Sequence, residues 1–258
     1  MHAEPVFLRM PIAGMYGFLL VLARVGGALS FVPMPGFSSG PDAARILLAI
    51  GLAAGLAPLA PAVPLPEPLV GGIVAAVAAE AAFGLTVGLA VAILIESLLV
   101  AAQIFGLQAG YSYASTVDPT TQADSNVMVV FAQLGGGLLF FSLGMDRQVV
   151  RVFAASLVAH PPGTYFLRAS SAEAIIGLGA GMLATGMRLA LPIVVLLALI
   201  DISLALLGRI HQQLQLLTLA FPIKMLAALA FLAVIFVLLV PVYRSAAEQT
   251  IAVLYRLL

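Results

Sequence analysis

Long, nearly uninterrupted apolar runs alternate along this chain with short stretches rich in Pro, Gly, Ser and Thr. The runs fall at about 11–32, 42–60, 69–99, 101–113, 127–143, 174–207 and 214–240, followed by a tail from Arg244 to Leu258. An apolar helix needs about 20 residues to cross the hydrocarbon core of a bilayer, and only helices or closed barrels satisfy their backbone groups there. Barrel strands would show period-two polarity over about 10 residues, which these continuous runs lack. The pattern predicts an all-α, polytopic helical membrane protein with about six hydrophobic segments, organised as a single unit over 1–258 with an amphipathic end at about 242–258. Some segments are short for a full crossing and others long, so hairpins, kinks or partial crossings are expected.

Four breaks separate the runs. Phe31 to Pro41 holds three Pro and two Gly, and Pro58 to Pro68 holds five Pro. Tyr111 to Asn126 is the longest polar stretch, rich in Ser and Thr, with Asp118 and Asp124 and no cation. His160 to Ser171 opens on Pro161-Pro162-Gly163, a helix stop. The first run ends on Ala28-Leu29-Ser30, small residues at a cleavage-like spacing, but it lacks a basic leader and exceeds the usual apolar core of a signal peptide. It reads as a retained helix. Each loop carries at most two or three Lys or Arg, so charge bias sets no orientation, and no internal repeat is visible.

Composition sharpens this picture. Hydrophobic residues make up 63% of the 258 and charged residues 9%, too few to clothe a water-facing surface. Formal net charge is zero and Lys224 is the one lysine, which argues against nucleic-acid binding. With no Cys there is no disulfide and no thiolate chemistry.

An ionisable group near the bilayer centre costs at least about 2.5 kcal/mol, so each one inside an apolar run needs a reason. Arg24, Glu80, Glu96, Arg188, Asp201 and Lys224 are such residues, three of each sign. Glu80, Gly84, Gly88 and Ala92 recur at i+4, placing a carboxylate and small residues on one face suited to close packing against a neighbour that satisfies Glu80. Glu96, Gln103 and Gly110 recur at i+7, with Gln108 nearby, a polar seam that either lines water or makes interhelical hydrogen bonds. Gly177, Gly181, Thr185 and Arg188 form a third face of small residues ending in a cation.

Enzymatic readings find little support. Gly110-Tyr111-Ser112-Tyr113 superficially fits the Gly-x-Ser-x of intramembrane serine proteases, but neither His160 nor His211 has the setting of a general base. No phosphate-binding Gly-x-x-x-x-Gly-Lys loop occurs, and no cofactor is expected. A small-molecule transporter or ion channel, using the buried charges as a binding or proton-relay site, is the alternative from another class.

Leu206 to Met225 (LLGRIHQQLQLLTLAFPIKM) resembles the signature stretch of the FliR/SctT family of type III secretion export-gate subunits: Arg209, Gln213, Leu214, Phe221 and Pro222 match, with Gln212 in place of the usual Pro. Arg24 followed by Pro33 and Pro35, then Arg45, Glu80 with Gly84 and Gly88, Gly106 to Gly110, Asp118-Pro119, Ser156 with Pro161 and Gly163, and Leu191-Pro192 fall in the family's order. Asp146 departs from the Gly-His expected near it. The resemblance covers essentially the whole chain and favours the flagellar branch over the injectisome SctT branch.

That resemblance implies a non-enzymatic subunit of the flagellar type III protein-export gate in the bacterial inner membrane. It would assemble with FliP-like and FliQ-like subunits and a FlhB-like export switch protein, in contact with lipid, and would pass unfolded polypeptides. A loop at Gly110 to Ser125 would close the pore, carried by Gly110, Tyr111, Ser112, Tyr113, Ser115, Thr116, Asp118, Pro119, Thr120 and Thr121. Glu80, Gly84, Gly88, Glu96, Gln103, Arg188, Asp201, Arg209, Gln213, Phe221 and Pro222 would serve subunit packing.

Overall fold

The computed structural model describes residues 12–32, 42–61, 63–64, 69–111, 127–166, 169–210 and 216–258. Among them are seven α-helices and no strand: α1 (Ile12–Leu29), α2 (Asp42–Leu56, continued by the 3-10 turn Ala57–Leu59), α3 (Leu69–Ala109), α4 (Val127–Ser142), α5 (Met145–Ala159), α6 (Ala169–Ile210) and α7 (Leu216–Arg256).

The sequence predicts a division of α3 near residue 100, but Leu98-Leu99-Val100-Ala101-Ala102-Gln103 contains no residue that interrupts a helix, and α3 runs unbroken for 41 residues. It ends where it must. Gly110 adopts φ +90°, its N–H donates to the Leu107 carbonyl at 3.1 Å, and the Tyr111 N–H donates to Gly106 at 3.0 Å. This paired closure of the last turn needs a left-handed residue that glycine supplies without strain.

Helix α5 is absent from the predicted runs because Asp146, Arg147 and Arg151 interrupt its hydropathy. Its amphipathic period was present all the same: Met145, Val149, Val152, Phe153, Ser156 and Leu157 are buried at helical spacing. Gly144, at φ +67°, separates α4 from α5 and allows the 60° bend between them. The predicted tail from residue 244 is likewise the end of α7, which passes through Pro222 and Pro241 without breaking. Neighbouring helices and water re-satisfy backbone groups freed by such prolines.

Among the described residues, the six expected hydrophobic segments resolve into three helices long and apolar enough to cross a membrane, 12–29, 70–109 and 171–209, a bent α4–α5 pair that is either a broken span or a re-entrant loop, and shorter apolar helices at 43–59 and 220–233. Helix α3 is the central post, packing against α1, α4, α6 and α7. At 1.5 Å per residue its 41 residues span roughly 61 Å, about twice a hydrocarbon core. Fitting it wholly within lipid would take a tilt of about 60°, beyond the roughly 40° that spanning helices reach. Much of α3 therefore requires polypeptide rather than acyl chains around it. Ile176, Leu138 and Val158 lie open on the outside, each more than two-thirds exposed, so the single chain leaves extensive apolar surface for lipid or other polypeptide.

Candidate functional site

Two polar clusters interrupt the apolar packing. The first joins α1 to α3. Glycines on α3 meet the backbone of α1 directly: a methyl carbon at Gly84 would overlap the Arg24 carbonyl oxygen, and one at Gly88 that of Ala28. Gly27 makes the reciprocal approach, with its would-be Cβ 2.5 Å from the Ala81 oxygen. The small-residue face predicted around Glu80 is thus real, and it packs on a helix of the same chain.

This proximity lets Arg24 reach Glu80. The guanidinium Nε donates to Oε2, and both side chains are at most 1% exposed. Nη1 donates to the Ser156 hydroxyl at 3.0 Å, which in turn donates to the Phe153 carbonyl at 2.7 Å. Nη2 donates to the His160 carbonyl at 3.0 Å. The second oxygen of Glu80 accepts the Gly163 N–H at 2.8 Å. Beneath the guanidinium lies the Phe83 ring, its centroid 5.0 Å away. A buried ion pair tolerates its desolvation when its remaining hydrogen-bonding groups are also met, and here α5 and the turn after it meet them. Glu80 accordingly finds its cation within the chain.

The second cluster lies where α3 ends. Asp201 of α6 accepts from Gln108 Nε2 at 3.1 Å and from Lys224 Nζ of α7 at 3.0 Å. Asp201 is 42% exposed and Lys224 13%, so this pair remains partly open. Beside it, the Tyr111 hydroxyl donates to the Met225 carbonyl at 2.9 Å. Burial pushes the Tyr111 phenol above its ordinary value, so it stays a neutral donor at physiological pH. Gly110 sits against the Phe221 ring, where an added Cβ would be 2.7 Å from Cδ1. Three helices thus hold the last residues before the polar stretch.

Of the predicted pore-closing residues, Gly110 and Tyr111 are these anchors; Ser112, Tyr113, Ser115, Thr116, Asp118, Pro119, Thr120 and Thr121 lie outside the described residues, as does Gln213. Asp201 and Phe221 join the second cluster, while Pro222 is exposed on α7. Glu96 and Gln103 are exposed along one stripe of α3, and Arg188 and Arg209 are exposed on α6. Gly177 and Gly181 face open space; the close approach of α6 to α3 is instead at Gly186, whose Cβ would be 2.8 Å from Val100 Cγ1.

Of the six charges in apolar runs, Arg24 with Glu80 and Lys224 with Asp201 form two pairs, and Glu96 and Arg188 have no ion-pair partner among the described residues. Arg24, Lys224 and Gln108 stand outside the predicted packing set although they complete it. Opposite signs in separate apolar runs made pairing possible, within the chain or with partner subunits, but did not say which residues pair. Ser156 and Gly163 carry no comparable signal, since their roles come from a hydroxyl and a backbone N–H brought in by an unpredicted helix.

Residues 15–250 match the model of the family described as bacterial export proteins, family 1. The chain is 27% identical over 224 residues to the flagellar biosynthetic protein FliR of Caulobacter vibrioides, covering 84% of this chain and 87% of that protein. It is 27% identical over 141 residues to FliR of Escherichia coli K12, covering 55% of this chain and 54% of that protein. FliR of Buchnera aphidicola from Acyrthosiphon pisum is 21% identical over 159 residues, 62% of each chain. The chain thus spans about half the length of the E. coli relative and most of the C. vibrioides one.

Proposed function

Because this chain belongs to the bacterial export proteins, family 1, the FliR/SctT family, we propose that it is a non-enzymatic component of flagellar biosynthesis, a subunit of the type III protein-export gate in the bacterial inner membrane. In this reading it assembles with FliP-like, FliQ-like and FlhB-like proteins and helps to pass unfolded polypeptides, with residues 110–125 closing the path at rest. The match across residues 15–250 carries the assignment.

The geometry supports a division of labour. The Arg24–Glu80 cluster fixes α1, α3 and α5 as one body. The Gln108–Asp201–Lys224 cluster and the Gly110–Phe221 contact hold the base of the polar stretch. Partly exposed hydrogen bonds of this kind rearrange at low cost, as a loop that yields to an arriving chain requires. Helices too long for lipid, together with Glu96 and Arg188 lacking partners among the described residues, point to further subunits as their environment.

Deleting Thr116 to Thr121 is expected to leave assembly intact and make resting membranes conduct small ions. Unchanged conductance would remove the plug role. A tagged chain that never co-isolates with FliP-like and FliQ-like subunits would remove the gate assignment itself.

A further inference from the structure

At one end of the helix bundle, beside the turn that the Arg24–Glu80 cluster holds, a cavity of about 290 Å³ opens between the turn after α5, the start of α6 and the end of α7. Its lining includes the side chains of His160, Tyr165, Ser171 and Arg256. No carboxylate side chain contributes to it. From these residues we propose that the cavity is a binding site for a phosphate-type anion, either a lipid headgroup or free phosphate.

Ser171, His160 and Arg256 line it, and none of their side chains donates a hydrogen bond to a described residue. The Tyr165 hydroxyl is buried in the wall with no partner among the described residues, a costly state for a polar group. Ser171 is 95% buried and makes no side-chain hydrogen bond among the described residues. Among the described residues Arg256 forms no ion pair, and the His160 ring makes an edge contact with Tyr165 at 5.9 Å and no hydrogen bond. Thr164, also in the lining, donates to the Pro161 carbonyl at 2.7 Å and has no hydrogen to offer. Glu173 lies in the second turn of α6 and is exposed outside the cavity.

The backbone adds to this. Ser171 belongs to the first turn of a 42-residue helix, whose free N–H groups favour an anion, and Arg256 is the basic residue in the last turn of α7. The site is also built rather than incidental. Arg24 holds the His160 carbonyl, Glu80 holds the Gly163 N–H, and Tyr165 packs edge-on against Phe83 at 4.8 Å, so the fully buried cluster fixes the turn that forms one wall.

Its depth suits a headgroup. The apolar span of α6 begins at Ser171, and Arg256 lies beyond the last apolar stretch of α7. The proposal is independent of the gate reading, since the cavity lining shares no residue with the Gln108–Asp201–Lys224 cluster.

The test uses the full chain purified in a neutral detergent, with thermal unfolding as readout. One arm titrates inorganic phosphate; the other adds phosphatidylglycerol, with phosphatidylcholine as a zwitterionic control. A saturable rise in midpoint is expected, with apparent affinity about tenfold weaker in Arg256→Gln and weaker by a smaller factor in Ser171→Ala, as loss of a charge-assisted and a neutral hydrogen bond implies. Arg244→Gln, on α7 but outside this lining, should bind as the unaltered chain does. A response to phosphatidylglycerol alone assigns a headgroup, and an equal response to phosphate assigns a free anion. No saturable response in either arm, or an undiminished response in both Arg256→Gln and Ser171→Ala, overturns the proposal.

Discussion

The two polar clusters use the same chemistry to opposite ends. Around Arg24 and Glu80 both charges are sealed from solvent and held by groups from α1, α3, α5 and the following turn. Around Asp201 and Lys224 the carboxylate is nearly half exposed and shared between an amide and an ammonium. Burial decides the difference. A sealed pair is strongly destabilised by losing one partner, whereas a partly hydrated pair can exchange its partner for water. The first cluster is closed to water, and the second is held by bonds that water can replace.

The contrast is broken most directly at Glu80. Glu80→Leu leaves a buried guanidinium uncompensated and is expected to cost about 3–5 kcal/mol, seen as a collapse of folded yield in detergent. Pairing it with Arg24→Met should recover much of the loss; no recovery would show that the hydrogen bonds from Arg24 to Ser156 and from Gly163 to Glu80 matter more than the charge. Next comes Gly84→Leu, whose side chain has no room against the Arg24 carbonyl. It should separate α1 from α3 and cost about 1–3 kcal/mol or more. Normal stability and complex yield would refute close packing there.

At the second cluster, effects on stability shrink and, under the proposed gate function, effects on resting conductance take their place. Gly110→Ala combines a strained φ of +90° with a clash against Phe221. Holding a non-glycine residue there costs about 1–3 kcal/mol, and resting membranes should become leaky while assembly persists. Asp201→Asn keeps an acceptor for Gln108 and loses the charge facing Lys224. A change in stability within about 1 kcal/mol is expected, with resting conductance raised. If Asp201→Asn instead unfolds the chain as Glu80→Leu does, the two clusters do not differ in kind.

Much of this architecture was legible in the residues themselves. Continuous apolar runs gave membrane helices, and the i+4 recurrence of Glu80, Gly84 and Gly88 gave a close-packing face. Hydropathy failed where polarity and helicity diverge. It passed over α5, whose arginines mask an amphipathic period, and divided α3 at residue 100, where nothing breaks a helix. The partner of Glu80 was hidden for another reason. Arg24 lies 56 residues away, and no local pattern encodes a contact made by tertiary packing. The anchors of residues 110–111 on Phe221 and Met225 depend on the same long-range folding.

The sequence separations within the sealed cluster also bear on biosynthesis. Arg24 is translated 56 residues before Glu80 and 132 before Ser156, and Glu80 precedes Gly163 by 83. At roughly 5–20 residues per second, the ribosome needs about 7–28 s to supply the complete set of partners. Until then each charge must stay near the interface, in the insertion machinery, or against another chaperoning surface. The cluster is complete only once Gly163 has been made, so its full set of hydrogen bonds forms late in synthesis.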